Sequence, residues 1–338
     1  MLTRSGIFWP RVADDLPERP QPPLSIAISE CLLGSEVRYD GSGARSSFPH
    51  ESLQGLFEYR GICPEMAVGM GTPRDPIRLV GDVHAPAAVG VKDTGINVTA
   101  ALADFGRRQA AALSDVTGYV FMKNSPSCGL FRVKVYPHQD GRVTGAPDPR
   151  GRGIYAAAVV EALPALPVEE SGRLHDPVLR ENFACRVYAY AHWKRMASAG
   201  LTPARLIAFH SRYKYLLMAH SVPHYQAAGR LLSNLKSAFE KRADEYLDLL
   251  MVGLSRPAGR SGHANVLSHL QGYLKTRLDG PTRQELAQLI DAYRRGELPL
   301  MAPVTLLKHH LRRHPDEYVL HQAYLDPHPG YPGLRRAL

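Results

Sequence analysis

The periodicity of apolar residues changes once along the chain and divides it into two parts. In the first part, strand-like apolar runs at residues 24–29, 118–123 and 133–136 alternate with helical patterns such as the amphipathic segment 99–116. This alternation predicts a Rossmann-like three-layer α/β domain with a parallel sheet. From about residue 178 only helical periodicity remains, which predicts an all-α domain.

The chain is long enough for two domains that each bury a core. We expect an N-terminal extension at 1–23, an α/β domain at 24–177 and a basic helical domain at 178–338. The segment 163–177 is the expected boundary because it is rich in Pro, Glu and Gly.

Two helix starts in the second part have recognisable capping sequences. Thr202 precedes Pro203, which suits the N-cap and the first helical position. Thr282, followed by Arg283-Gln284-Glu285, has the outline of a capping box.

Three of the four cysteines occupy similar short motifs. Cys31, Cys63 and Cys128 lie in SECLLG, ICPEM and NSPSCG, which are rich in Gly, Pro, Ser and Glu and are typical of tight turns. Their spacings of 32 and 65 residues exclude zinc-finger and ferredoxin motifs, so the thiols can meet only through the tertiary fold. Together they offer three thiolates to one iron-sulfur cluster and leave one iron open. The alternative is three buried, reduced thiols that only pack; Cys185, in a helical pattern, is expected to be structural.

The charge is divided unevenly along the chain. Residues 1–180 contain 19 Lys and Arg against 20 Asp and Glu, whereas residues 181–338 contain 22 against 12. Eleven of the fifteen His also lie in the second part. Such a domain favours a polyanion such as RNA, although a solvated basic helical surface fits the charge equally well.

Four motifs in the first part resemble the thiouracil desulfidase family. They are ISECLLGSEVRYDGSG at 28–43, CPEMAVGMGTPRDP at 63–76, DTGINVTAAL at 93–102 and MKNSPSCG at 122–129. Residues 188–330 resemble the helical domain that is fused to the desulfidase in tRNA 4-thiouridine desulfidases. This second resemblance rests on four segments: HSRYKYLLMAHS at 210–221, HANVLSHLQGYLK at 263–275, RQEL at 283–286 and LLKHHLRR at 306–313.

The resemblance implies a 4Fe-4S cluster held by Cys31, Cys63 and Cys128, and a non-redox desulfuration of 4-thiouridine in tRNA to uridine with release of sulfide. A sulfur atom of the substrate is a soft ligand for the open iron. Glu65, two residues after Cys63, is the expected general acid or base, and Ser125, which matches the first Ser of the family's SPSCG motif, is the expected partner that orients water.

Further residues are expected to bind the cluster or the substrate. Ser127 is expected to donate a hydrogen bond to the cluster or substrate. Arg74 is expected either to bind substrate or to pair with Asp75. Lys123 is expected either to contact phosphate or to cap a strand. In the helical domain, Arg212 together with a strip formed by His210, Tyr213 and Lys214 is interpreted as an RNA-binding surface or, alternatively, as a helix interface. The residues expected to bind substrate are therefore Ser127, Arg74, Lys123, Arg212, Tyr213 and Lys214.

Two segments are interpreted as structural. Arg38, Tyr39 and Asp40 are expected to fix the Cys31 loop through a turn rather than to act in catalysis. The His-rich segment 308–314 has poor spacing for a metal site and is expected to be a solvated or phosphate-facing helix.

Two other functions fit the same sequence. One is a desulfidase of free thiopyrimidine bases or nucleosides, in which the helical domain serves dimerisation; the other is a cluster-bearing nucleic-acid-binding sensor without enzymatic activity. We expect a cytoplasmic protein for three reasons. The four cysteines do not form a disulfide framework, the sequence shows no apolar leader pattern, and it contains no long apolar run. We expect thiolated tRNA as the partner, no membrane contact and no obligatory protein partner.

Overall fold

The computed structural model describes residues 16–46, 53, 55–139, 142–235, 238–329, 331–336 and 338. The chain divides into two compact units. One is Gln21–Phe183, and the other combines Met1–Pro20 with Ala184–Leu338.

Strands and helices alternate in the first unit. In chain order they are β1 (Leu24–Ser29), β2 (Phe57–Ile62), α1 (Pro64–Ala67), β3 (Ile77–Asp82), β4 (Ala85–Gly90), α2 (Thr99–Ala112), β5 (Tyr119–Phe121), β6 (Val133–Tyr136), β7 (His138–Gln139), β8 (Arg142–Val143), β9 (Asp148–Gly151), α3 (Ile154–Ala162) and β10 (Val168–Glu170). The helix predicted at 99–116 is α2, which ends earlier, at Ala112.

The main sheet has the order β10-β5-β1-β2, and all its neighbouring strands are parallel. Leu24 pairs with Phe57 and Ala27 pairs with Tyr119, so these two pairs lie on opposite faces. Phe57 contacts Phe183 on one face, and Tyr119 contacts Tyr155 of α3 on the other. Helical residues therefore cover both faces, which confirms the predicted three-layer α/β arrangement with a parallel sheet.

A second sheet, with the order β4-β3-β6-β9, was not predicted. The predicted strand 133–136 belongs to it as β6, parallel to β3 and antiparallel to β9. Its core side chains pack with Leu102 of α2 and Ile154 of α3. Gly81 in β3, and Pro86 and Gly90 in β4, weaken the alternation of these strands in the sequence.

The segment expected as a domain boundary contains an edge strand instead. β10 lies within residues 163–177 and places Glu169 and Glu170 in the interior, where both are buried. Glu169 pairs with Arg173, and Glu170 accepts hydrogen bonds from the N–H groups of Leu130 and Phe131 at 2.8 and 2.9 Å. In composition this segment is similar to a linker, although its two carboxylates are buried with protein partners.

From residue 177 onward the described regular structure is helical, as predicted for the second part. The helices are α4 (Pro177–Ser198), α5 (Pro203–His220), α6 (Val222–Leu232), α7 (Phe239–Leu254), α8 (Arg260–Gln271), α9 (Gly280–Arg295), α10 (Met301–Arg313) and α11 (Glu317–Leu320). Among the described residues, no helix combines the length and the apolar character that crossing a bilayer requires.

One of the two predicted caps is confirmed. The Thr202 side chain accepts the N–H of Arg205 at the start of α5. Thr282 is not a cap, because α9 begins earlier and the Asp279 side chain accepts the N–H of Thr282. An Asp-Gly-Pro sequence offers both a capping carboxylate and a proline in the first turn, and it outcompetes the later threonine.

Histidine and tyrosine side chains pair in the core of the second unit. Nε2 of His192 donates to the carbonyl oxygen of Pro17 at 2.8 Å, so Nδ1 accepts from the Tyr213 hydroxyl at 3.1 Å. Nδ1 of His210 lies 3.2 Å from the Tyr246 hydroxyl. Burial lowers the pKa of His192 to about 3, and the cations Arg212, Arg19 and Arg195 act in the same direction. Burial and Lys214 lower the pKa of His210 to about 4.

These buried histidines predict a loss of stability in acid. An unfolded histidine has a pKa of about 6.5, so between pH 6.5 and 4 the unfolded chain binds protons that the folded chain does not. Stability is therefore complete above this window and falls as the pH drops through it, by about 2 kcal/mol for each histidine between pH 8 and pH 5. Chemical denaturation followed by near-ultraviolet circular dichroism measures this dependence.

The matched variants are His192→Gln and His309→Gln, since His309 is exposed on α10. His192→Gln should flatten the pH dependence of the unfolding free energy, and His309→Gln should leave it unchanged. An identical pH dependence in His192→Gln and the wild type would contradict the assignment.

Candidate active site

The three cysteines of the predicted motifs meet at one edge of the main sheet. Cys31 lies in a 3₁₀ turn directly after β1, Cys63 is the N-cap residue of α1 directly after β2, and Cys128 lies in the loop after β5. Because β5, β1 and β2 are parallel neighbours, their C-terminal ends share one edge, where ligands of open α/β sheets bind. All three cysteines line a single cavity of about 430 Å³.

A closed turn holds the Cys31 segment. The carbonyl oxygen of Cys31 accepts the N–H groups of Gly34 and Ala44, and Gly34 has the left-handed φ of 101° that ends the turn. Asp40 accepts both the N–H and the hydroxyl of Ser42, while Arg38 donates to the same hydroxyl. The expectation that Arg38 and Asp40 fix this loop agrees with these contacts.

The Cys128 loop is fixed by Ser125, whose hydroxyl oxygen accepts the N–H groups of Ser127 and Cys128 at 3.3 and 3.0 Å. A Cβ at Gly129 would lie 2.3 Å from Cγ2 of Val133 and 2.7 Å from the carbonyl oxygen of Ser125. This glycine is therefore required by the packing of the protein itself.

The thiols are strongly shielded from water. Cys31 and Cys128 are buried and Cys63 is half-buried. Burial, reinforced by the neighbouring Cys63, raises the pKa of Cys31 to about 11. Burial also raises the pKa of Cys63 and of Cys128 above the ordinary thiol value. At neutral pH the free thiols are therefore protonated, and a bound metal that displaces their protons would make them thiolates.

The donor set fits a cluster better than one ion. A tetrahedral metal with bonds of about 2.3 Å to sulfur requires its thiolates within about 4 Å of one another. The three sulfur atoms do not all lie within 4.8 Å of one another, although all face the same cavity. Soft sulfur donors spread around a common space suit an iron-sulfur cluster.

Glu65 lies beside the thiols and is fixed at both oxygens. Its Oε2 accepts from Nε and Nη2 of Arg74 at 2.9 and 2.5 Å, and its Oε1 accepts from the Ser127 hydroxyl at 2.5 Å. The side chains of Arg74 and Glu65 are only 6% and 14% exposed. Such a buried, charge-assisted pair fixes the carboxylate firmly.

The partner of Arg74 differs from the one expected from the sequence. Asp75 pairs with Lys92 at 3.0 Å, while Arg74 pairs with Glu65 and also donates to the carbonyl oxygens of Val37 and Gly71. Protein acceptors hold its guanidinium, which in turn orients the carboxylate of Glu65.

The two serines form a directed hydrogen-bond chain. The Ser127 proton is used toward Glu65, so the 2.9 Å contact between the two hydroxyls requires Ser125 to donate to Ser127. The Ser127 hydroxyl also lies 3.7 Å from the sulfur of Cys128. Hydrogen bonds therefore link Ser125 to Ser127 and Ser127 to Glu65. Ser127, which was expected to contact the cluster or substrate, thus connects Ser125 and Glu65, the two residues predicted to handle water and protons.

Sequence reasoning missed Ser29 in this site. Ser29 is buried, lines the cavity, and accepts the N–H of Met122 at 2.9 Å. It also lowers the pKa of Cys128 through a side-chain hydrogen bond, against the larger effect of burial. The only sequence signal was its place two residues before Cys31, at the end of β1.

The remaining predicted residues fall in two groups. Lys123 lines the cysteine cavity and is exposed, as a phosphate-contacting residue requires. In the second unit, Tyr213 and Lys214 are buried and Arg212 is half-buried, and the Tyr213 ring stacks on Phe209 at 4.5 Å. Of the two alternatives for this strip, the burial of Tyr213 and Lys214 fits the helix interface.

Comparisons with known proteins match both parts of the chain. The family described as 2-thiouracil desulfurase matches residues 26–171, and the family described as "Protein of unknown function (DUF1722)" matches residues 214–329. Uncharacterized protein YbgA of Escherichia coli (strain K12) is 38% identical over 154 residues, which cover 45% of this chain and 91% of YbgA. Uncharacterized protein YbbK of Bacillus subtilis (strain 168) is 30% identical over 146 residues, which cover 40% of this chain and 90% of YbbK.

One solved structure is also similar. It is the 4Fe-4S-dependent thiouracil desulfidase TudS, with 25% sequence identity and a TM-score of 0.35, and the match covers 46% of this chain and 95% of TudS.

Proposed function

This chain belongs to the 2-thiouracil desulfurase family through residues 26–171, and we propose that it is a 4Fe-4S-dependent desulfidase that converts 4-thiouridine in tRNA to uridine. The observation that carries the proposal is the convergence of three shielded thiols and a fixed carboxylate, Glu65, on one cavity.

The proposed reaction replaces C=S by C=O. Water adds to the thiocarbonyl carbon, the C–S bond breaks, and both protons of the water end on the released sulfide as H₂S. Atoms balance without an oxidant or a reductant. The cluster, held by Cys31, Cys63 and Cys128, would supply a Lewis-acidic iron with affinity for sulfur.

The protein's own groups handle the proton. Oε1 of Glu65 accepts a proton from the attacking water and returns it to the leaving sulfur. Arg74 keeps the carboxylate oriented, and the hydroxyls of Ser125 and Ser127 extend hydrogen bonding along the cavity wall. The rigid contacts of Glu65 mean that little reorganisation is needed when the proton moves.

The second family match and the charge support tRNA as the substrate. Residues 181–338 contain ten more basic than acidic residues. On α10, Arg312 and Arg313 are exposed, and neither forms an ion pair with another described residue. Exposed guanidinium groups of this kind suit phosphate contacts, and they replace the buried Tyr213 and Lys214 as candidates.

The proposal is tested with the full chain, reconstituted anaerobically with iron and sulfide. Incubation with thiolated tRNA should convert 4-thiouridine to uridine, measured by nucleoside analysis after digestion, with an equal amount of sulfide released. Free 4-thiouridine is the control substrate and should react with a much lower kcat/KM, because it forms no phosphate contacts. Equal kcat/KM for both substrates would favour the free-nucleoside alternative, and no conversion of either would exclude desulfidation of 4-thiouridine.

A further inference from the structure

A groove leads away from the cysteine cavity across the second sheet. The cysteine cavity shares Ile77, Asn124 and Pro126 with a second cavity of about 440 Å³. The second cavity shares Arg132 with a third of about 390 Å³. The shared lining residues therefore place the three cavities side by side along the first unit, in a path that begins at the cysteine cavity.

The part of this path beyond the cysteine cavity is lined by basic side chains and is called the basic groove below. Its basic residues are Arg78, Arg132, Lys134, Arg150, Arg152 and Arg173. Within the first 180 residues, acidic residues outnumber basic ones by one, so this concentration is local. The net charge of this half of the sequence therefore gives no sign of the basic groove.

Most of this charge is free of ion pairs. Arg150 pairs with Asp148 and Arg173 pairs with Glu169. Arg78, Arg132, Lys134 and Arg152 form no ion pair within the described part of the chain, and the last three are exposed. A groove with several uncompensated cations attracts an extended polyanion more strongly than a single small anion.

An exposed aromatic ring stands in the same groove. Phe131 is 39% exposed, and the Arg173 guanidinium lies 5.1 Å from its ring centroid. The buried carboxylate of Glu170 accepts the N–H groups of Leu130 and Phe131, which fixes this loop only three residues after Cys128. A fixed ring among basic groups is the arrangement on which unpaired bases stack.

We propose that the basic groove binds the RNA strand that flanks the thiolated base, with its cations on the phosphodiester backbone and Phe131 stacked on a neighbouring base. This inference rests on the proposed function, since it assumes that the reacting base enters the cysteine cavity. The groove extends well beyond the space that a free base would occupy, so it contributes only when the base belongs to a polynucleotide. RNA recognition is thereby assigned to the catalytic domain as well as to the basic helical domain.

The test measures binding of unmodified tRNA to the full chain by fluorescence anisotropy at several salt concentrations. The double variant Arg132→Glu/Lys134→Glu should weaken binding at least about tenfold. It should also reduce the slope of log K against log salt by about 0.7 to 0.9 for each phosphate that the variant no longer neutralises. Phe131→Ala should weaken binding by about tenfold with little change in that slope. Arg108→Glu is the matched control, because Arg108 is exposed on α2 and lines none of the three cavities.

The outcomes separate the groove from the proposed reaction. If the double variant and Phe131→Ala bind tRNA as tightly as the wild type and Arg108→Glu do, the groove assignment is wrong, whatever the activity. If these variants lose affinity for tRNA but the wild type desulfurises neither tRNA nor 4-thiouridine, the assignment of the groove to RNA binding is supported and the proposed desulfidase function is wrong. Equal weakening by Arg108→Glu would also overturn the assignment, since it would show a general charge effect.

Discussion

Replacing Cys31, Cys63 or Cys128 singly by alanine is expected to abolish cluster incorporation. Each thiol comes from a different loop at the same sheet edge, and the described cavity offers no fourth cysteine to replace a missing one. An iron-sulfur cluster held by only two thiolates in a half-open cavity would escape to solvent or chelators. The measurement is iron and acid-labile sulfide per chain after anaerobic reconstitution, together with the visible thiolate-to-iron absorbance.

Cys185→Ala is the matched control. Cys185 is as well buried as the others, but it lies within α4 and does not line the cysteine cavity. This variant should keep the iron content and absorbance of the wild type. Full cluster content in any of the three other variants would refute that residue as a ligand.

The positions of the cysteines could be predicted because they depend on local sequence. Strands with apolar runs precede Cys31 and Cys128, and turn-forming residues come after these cysteines. Because parallel strands end at the same edge of a sheet, both cysteines could be placed at that edge from the sequence. The second sheet was missed, since β3 and β4 contain Gly or Pro and lack clear alternation. The basic groove was missed because its residues come from separate segments of the chain, in β3, β6, β9 and the adjoining loops, and only the tertiary fold brings them together.

Side-chain partners were harder to predict than positions. Glu65 and Arg74 were both named, but their ion pair depends on the turn that brings residue 74 back to α1. The sequence left the strip of Tyr213 and Lys214 open between a surface and a helix interface, because its polar face does not reveal that α5 is buried on nearly all sides. Helical periodicity indicates which residues share a face, but tertiary packing decides whether that face meets solvent.

Glu65→Gln is expected to lower kcat/KM for desulfidation by about 100-fold to 10,000-fold while the cluster is retained. The amide has nearly the same size. Its single carbonyl oxygen can still accept from Arg74, and its NH2 group can donate to the Ser127 hydroxyl, which then no longer acts as the donor, so the cavity should keep its shape. It cannot take a proton from water, however, so the acid and base function is removed. The measurement is single-turnover conversion of 4-thiouridine, with the rate expressed per assembled cluster.

The two serines separate proton handling from positioning. Ser127→Ala removes the donor to Oε1 of Glu65 and should lower the rate at unchanged cluster content. Ser125→Ala removes the acceptor for the Cys128 N–H, so it should lower cluster content as well as rate. If Glu65→Gln and Ser127→Ala both retained activity within a few-fold of wild type, the proton-handling group would lie elsewhere in the cavity. A loss of cluster in Glu65→Gln would instead make Glu65 a structural residue of the cluster site, because its charge would then be needed for assembly rather than for proton transfer.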